Sequence, residues 1–448
     1  MFTSLLARIG ALLQRLLGNE LSRRIVKNTG YLFSASGISA ALSMLQGILV
    51  VRILSVADFG ILGTITVFTS VINNLASFRM NELVIKYVGQ YTENQDQARA
   101  AAVFKLAALV EMLASLVAFG LVWLLAPIGA QFFAKDITTT NLFIIYGLIV
   151  LANLISESSI GLLQIFDRFR RMAVLNVVQS LITLAVIALA YLFHGGLLEV
   201  LLAYAIGKAI GALGLTLAAL HVATQHWGKD WWRAPVRLLR PQAREVAHFA
   251  ISTNISASLS LVTKDSELLW VSFFRSNLET GYYKLALALA NLVQIPVNPM
   301  PQATYPELSR EVARKNYANM RYILKQGSFI AGGYTLVVTL FLILLGQPLI
   351  NYVYTPELLP AYPALVILSI GLLAANTFYW RRVALLAFGE AGFPARLNLV
   401  LAALKVLGIA LFVPRYGYLA SAALLAGFYW VGSIISLIKI RSLLVNSE

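Results

Sequence analysis

Eight ionisable residues fall inside long apolar stretches of the chain: Glu111, Glu157, Lys208, Lys264, Asp265, Glu267, Lys284 and Lys405. A charge inside hydrocarbon is strongly unfavourable unless it is paired or hydrated. Each of the eight is therefore one half of an ion pair between helices or a group facing a polar cavity. Glu267 and Lys284 lie at similar depth on oppositely directed segments and could pair. That leaves Lys264 free or held by Asp265. A free buried lysine would suit an anionic cargo or, with a depressed pKa, a proton switch. Glu111, Glu157, Lys208 and Lys405 form a second set, read as a buried charge network. Near the segment ends lie Arg52, Arg79, Glu82 and Arg275. An arginine there either snorkels to the headgroups or grips phosphate with its bidentate fork.

Other chemistry is missing from the sequence. No glycine-rich GxxxxGK[ST] loop occurs, so no ATPase is built in. There are no cysteines. The four histidines, His194, His221, His226 and His248, are scattered without metal-ligand spacing. No metal site, cofactor or enzyme activity is expected. The connections are too short for a soluble catalytic domain.

The elements that must position these charges are membrane spans. Of the 448 residues, 59% are hydrophobic and 12% charged, against about 25% charged in a soluble domain. The mean hydropathy is +0.77. Twelve apolar segments are read, at roughly 30–51, 59–78, 101–126, 140–165, 172–193, 197–220, 247–274, 281–303, 323–346, 361–388, 396–413 and 418–438. With the N-terminus in the cytoplasm, 27 of the 35 basic residues fall in inner segments and four, Arg52, Lys135, Arg275 and Arg415, in outer loops. This split predicts both termini in the cytoplasm of a multi-pass cell-membrane protein. It also accounts for the net charge of +15 without nucleic acid.

Residues 1–27 lack the pattern of a cleaved signal peptide. Their leucines and isoleucines repeat at helical spacing with Arg8 and Arg15 off the stripe, which predicts an amphipathic helix on the inner leaflet. Residues 221–246 form the longest inner connection and separate a first lobe, 28–220, from a second, 247–448. Trp227, Trp231 and Trp232 beside its arginines are expected at the headgroup level, in contact with membrane lipids.

The two lobes read as a parallel repeat. Leu54-Ser55-Val56-Ala57-Asp58-Phe59-Gly60 and Ser276-Asn277-Leu278-Glu279-Thr280-Gly281 join equivalent pairs of spans, about 220 residues apart. The first span carries Ser36, Ser39, Ser43 and Gln46 along one face; the seventh carries Ser252, Ser256, Ser260, Lys264 and Glu267. Such stripes either pack helices closely or line a cavity. Gly207 and Gly211 form a GxxxG packing face. Pro296, Pro299 and Pro301 end the eighth span early or make a hinge.

The run Arg52-Ile53-Leu54-Ser55…Asp58-Phe59-Gly60 resembles the opening of bacterial polysaccharide and O-antigen flippases, the oligosaccharidyl-lipid exporter branch of the multidrug/oligosaccharidyl-lipid/polysaccharide exporter superfamily. Lys264-Asp265…Glu279-Thr280-Gly281-Tyr282-Tyr283 and Tyr305-Pro306-Glu307-Leu308 are similar to that family's second half. The resemblance spans about residues 28–440 in span number and layout. It implies an all-α polytopic membrane fold of two pseudo-symmetric six-helix lobes around a central cavity. It also implies translocation of a polyprenyl-pyrophosphate-linked oligosaccharide from inner to outer leaflet for lipopolysaccharide or other surface glycan. A proton or sodium gradient would drive it, with glycan polymerase machinery as a partner. Carried over by position, Arg52, Lys264 and Lys284 would be phosphate or sugar contacts, joined by Arg275, Ser260 and Gln46. Asp265, Glu267, Glu82 and Arg79 would couple or gate. Equal numbers of deep acids and bases depart from a strongly basic cavity. Two other functions stay open: an ion-coupled drug antiporter of the same superfamily, and a membrane polymerase or ligase.

Overall fold

The structure is a computed structural model that describes residues 20–77, 80–242, 244–246, 266–390 and 392–446, with backbone alone at 20–29, 32 and 446. Every regular element among these residues is helical. Ten helices are long and apolar enough to cross a bilayer, and the chain is an all-α polytopic membrane protein. The expected spans 247–274 and 281–303 are not among the ten. Only the last part of the first is described, and the second is short and carries Glu279 and Lys284. Most of the expected amphipathic segment, residues 1–19, lies outside the described residues.

The first half contains α1 (Glu20–Ile53), α2 (Val56–Ala76), α3 (Met80–Glu93), α4 (Gln97–Ile128), α5 (Thr140–Gly147), α6 (Ile149–Ala152), α7 (Ser156–Ile165), α8 (Phe169–Leu192) and α9 (Leu197–Trp227). The second contains α10 (Glu267–Phe274), α11 (Asn277–Gln294), α12 (Met300–Ala313), α13 (Tyr317–Pro348), α14 (Ala361–Thr377), α15 (Arg381–Ala387), α16 (Gly392–Tyr416) and α17 (Tyr418–Asn446).

The repeat is visible in the helix ends. Helices α2 and α11 begin on Ser55 and Ser276, whose hydroxyls accept the N–H of Asp58 and Glu279. This is the expected use of a serine three residues before an acid. Helices α4 and α13 begin on Asp96 and Asn316, which cap Arg99 and Asn319. Each cap follows a left-handed residue, Gln95 or Lys315. Both helices end in a π-helical turn, Gly129–Ala134 and Leu349–Val353. Two later left-handed turns also correspond: Asp167 with Gly389, and His194 with Gly417.

The cores show where the halves meet. One hydrophobic cluster joins Phe59, Ile65 and Phe143 of the first half to Tyr283, Leu365 and Ala422 of the second. It occupies the basic-poor end, marked by Arg52, Lys135, Arg275 and Arg415. At the basic-rich end there are two separate clusters, one around Tyr87, Phe104 and Leu162 and one around Met320, Trp380 and Ile440. Among the described residues the halves are fused at one end and independent at the other.

Trp227 and Trp231 are half-buried and pack on Phe104 at 5.9 and 5.3 Å between ring centres, against the first-half core. Of the three tryptophans only Trp232 is largely exposed. The proline run ends α11 at Gln294, but the helix restarts at Met300. Pro301 then sits in the first turn of α12, where its missing N–H is not needed.

Candidate functional site

The seam between the halves is built on two glycines. A Cβ on Gly60 of α2 would collide with the Asn277 carbonyl of α11, and one on Gly281 of α11 would collide with the Val56 carbonyl of α2. The two contacts are reciprocal, as the repeat requires, and backbone approaches backbone only because neither residue has a side chain. Around this crossing hydrogen bonds bridge the seam. The Ser272 hydroxyl donates to the Phe133 carbonyl at 2.7 Å and lies 2.9 Å from the Thr64 hydroxyl. Asn277 Nδ2 donates to the Ala134 carbonyl at 2.6 Å. Lys135 Nζ donates to the Arg275 carbonyl, and burial, with the Arg275 charge second, holds that ammonium below its ordinary pKa. Arg52 reaches the Val353 carbonyl at 3.4 Å.

Lys284 lies in this seam. It projects from α11 toward α2, its Nζ donating to the Phe59 carbonyl at 3.0 Å and sitting 4.0 Å from the centre of the Phe59 ring. Gly63, one turn along α2, leaves room for its stem: a Cβ there would stand 2.7 Å from Lys284 Cδ. No carboxylate partners this amino group among the described residues. A carbonyl and a ring face stabilise a cation only partly, so the side chain keeps donors for an anion.

Glu267 and Lys284, which could have paired by depth, do not. Glu267 is instead sealed inside the second half. It forms an ion pair with Lys405 of α16, and the two side chains are each 2% exposed. Its other oxygen accepts from Tyr283 and Ser421, both at 2.9 Å. Equal depth allowed Lys284 as partner, but helix phase turns Glu267 toward α16 and α17 and Lys284 toward α2.

The other charges do not form one network. Glu111 of α4 accepts the backbone N–H groups of Glu157 and Ser158 at 2.7 and 2.9 Å and the Ser158 hydroxyl at 2.7 Å. It thereby caps α7, whose own N-cap residue, Ile155, has no side-chain acceptor. Glu157 contributes its N–H to that cap while its side chain is exposed. Lys208 donates to the Tyr146 hydroxyl at 3.2 Å, and Lys405 belongs to the other half. Arg275 is committed to Glu279 at 2.8 Å and to the Pro414 carbonyl at 2.9 Å; the carboxylate raises its pKa further. Gln46 is buried and donates to the Ser180 carbonyl of α8 at 2.8 Å, so it packs helices instead of lining a cavity. Glu82 is exposed in the first turn of α3. Lys264, Asp265, Ser260 and Arg79 lie outside the described residues.

Phe59, Tyr283, Ser421 and the glycine pair were not singled out as site residues. The glycines carried a signal, since each sits two residues after the acid of its Ser-x-x-acid cap. Ser421 carried none.

Comparison with known proteins places this geometry. The family model described as polysaccharide biosynthesis protein matches residues 25–312. The inner membrane protein YghQ of Escherichia coli (strain K12) is 22% identical over 343 residues, 76% of this chain and 95% of that protein. Among solved structures, the lipid II flippase MurJ in an inward closed conformation aligns with a TM-score of 0.71 at 16% identity, over 92% of this chain and 87% of that one. A multidrug resistance MATE family transporter of the MOP superfamily aligns in its inward-facing conformation with a TM-score of 0.70 at 14% identity, over 91% and 95% of the two chains. The outward-facing conformation gives 0.62 at 15% identity, over 97% and 98%.

Proposed function

Because the chain belongs to the polysaccharide biosynthesis protein family, we propose that it flips a polyprenyl-pyrophosphate-linked oligosaccharide from the inner to the outer leaflet of the cytoplasmic membrane. The observation that carries this reading is Lys284, whose amino group lies between the two halves with no carboxylate partner among the described residues. A sugar-pyrophosphate head cannot cross hydrocarbon unaided. A cleft that opens to each side in turn supplies the missing solvation. Two separate cores at the basic-rich end, which the charge rule assigns to the cytoplasm, suit loading from that side. Opening toward the outside would part the Gly60–Gly281 crossing. Lys284 would hold the pyrophosphate, with Lys264 a further candidate contact. A proton gradient, a sodium gradient or the membrane potential would drive the cycle, and a glycan polymerase would take the product.

The test is flipping in proteoliposomes with a fluorescent polyprenyl-pyrophosphate oligosaccharide. Wild type should accelerate translocation over protein-free vesicles, and Lys284→Gln should lose most of the gain at equal protein level. No acceleration with several glycan heads under an imposed ion gradient would end this reading and send the protein to drug-efflux assays.

A further inference from the structure

Outside the seam, the first half carries a second basic feature. Helices α8 and α9 are drawn together at Gly207 and Gly211, where a Cβ would collide with Thr183 and with the Gln179 side chain. Toward the basic-rich end the close fit stops. At Gly214 the opposing group is the tip of Leu175, 2.8 Å from a would-be Cβ. Beyond it a cleft of about 430 Å³ opens, lined by Arg170, Arg171, Val174, Leu175, Gly214 and Ala218. Its walls are apolar and its charged groups are the two arginines in the first turn of α8.

The cleft lies beside an exposed apolar face. Val174 continues an exposed apolar row through Val178 and Leu181 on α8, and Leu213 and Leu217 are exposed beside the cleft on α9. Exposed hydrocarbon along two adjacent spans is the surface that lipid covers. Neither arginine has an ion-pair partner among the described residues, and both are exposed. A groove lined by apolar side chains, with two phosphate-matching forks in the first turn of a candidate span, has the charge and shape to take an anionic lipid.

We propose that the α8–α9 cleft is a binding site for an anionic phospholipid, its phosphate held by Arg170 and Arg171 and an acyl chain laid along Val174, Leu175, Gly214 and Ala218. The site is separate from the seam, so it does not depend on what the protein transports. Its partner is a membrane lipid chosen by charge as well as by chain.

The test is native mass spectrometry of the full-length protein in mild detergent, with phosphatidylglycerol and phosphatidylethanolamine of the same acyl chains. Wild type should retain phosphatidylglycerol several-fold better. R170Q/R171Q should abolish that preference, whereas the linker control R237Q/R240Q should keep it. Ala218→Phe fills the groove without touching the arginines and should also lower retention. Equal retention of the two lipids by wild type, or no change in R170Q/R171Q, overturns the proposal. So does preferential retention of undecaprenyl phosphate in competition, which would make the cleft a carrier site. Glycerol phosphate without chains should not compete; if it does, the groove plays no part and the proposal fails.

Discussion

Glu111 in the first half and Glu267 in the second are both buried, and the two are satisfied by different means. In the first half Glu111 receives two backbone N–H groups and a hydroxyl at the start of α7. In the second half Glu267 receives an ammonium and two hydroxyls from α16, α11 and α17. The first arrangement completes a broken helix with partial charges, which the helix dipole favours. The second places a full counter-charge beside the acid and ties three helices together. Repeats that share their caps, π turns and left-handed turns thus differ in their interiors. A common scaffold constrains the backbone but leaves the means of neutralising a buried acid to each half.

The largest effect that tests this contrast is at Lys405. Lys405→Met strands a buried carboxylate and is expected to cost about 3–5 kcal/mol. Adding Glu267→Met should restore most of it, because replacing a whole buried pair by apolar groups is close to neutral. Thermal unfolding in detergent checks both, and a double variant no better than the single one breaks the contrast. Gly60→Ala and Gly281→Ala test the part of the repeat where the halves are alike. Each should weaken the closed seam by about 1–3 kcal/mol through overpacking, and to similar extents. The chain has no native cysteine, so the labelling rate of Ser272→Cys from the basic-poor side reports the opening directly. Glu111→Gln keeps an acceptor for α7 and should cost only about 1–2 kcal/mol, clearly less than Glu267→Gln, which strands Lys405. Equal losses would mean that the two acids are not held differently. The smallest effect is outside the membrane. Hydrogen bonds from Tyr87 first and Lys86 second hold the exposed Glu245 carboxylate below its ordinary pKa. A depressed carboxylate stabilises the fold above its unfolded value, about 4.3, and that contribution fades as pH falls through the lower folded value. Any difference in melting between wild type and Glu245→Gln should therefore be small at neutral pH and vanish in acid.

Much of the architecture was legible in the sequence because it rests on one-dimensional signals. Apolar length places the spans, and Ser55-x-x-Asp58 with Ser276-x-x-Glu279 marks the repeat at the position where the structure shows matching caps. Gly207 and Gly211 were read as a packing face and pack on α8. The site was less legible because it depends on helix phase. Depth alone offered Lys284 as a partner for Glu267, but the two point from their helices in different directions. Gln46 sits in a polar stripe that fits a cavity or a packed face equally well, and its burial against the Ser180 carbonyl decides for packing. Glu111 looked like one half of an ion pair because no periodicity reveals that a neighbouring helix breaks at Asn153–Ile155 and needs an external cap. The seam's closure was not legible either, since it is a contact between backbones.

That backbone contact has a consequence for genetics. When two side chains clash, a smaller partner can relieve the clash, and suppressors arise at the touching residue. At Gly60 and Gly281 the opposing atom is a carbonyl oxygen, which every amino acid carries. A methyl group added at either glycine therefore has no allele-specific remedy at Asn277 or Val56. Revertants of Gly60→Ala selected for restored function should return to glycine or map far away, among changes that rebalance the two end states. The pair is a point where sequence drift in one half cannot be answered by drift in the other.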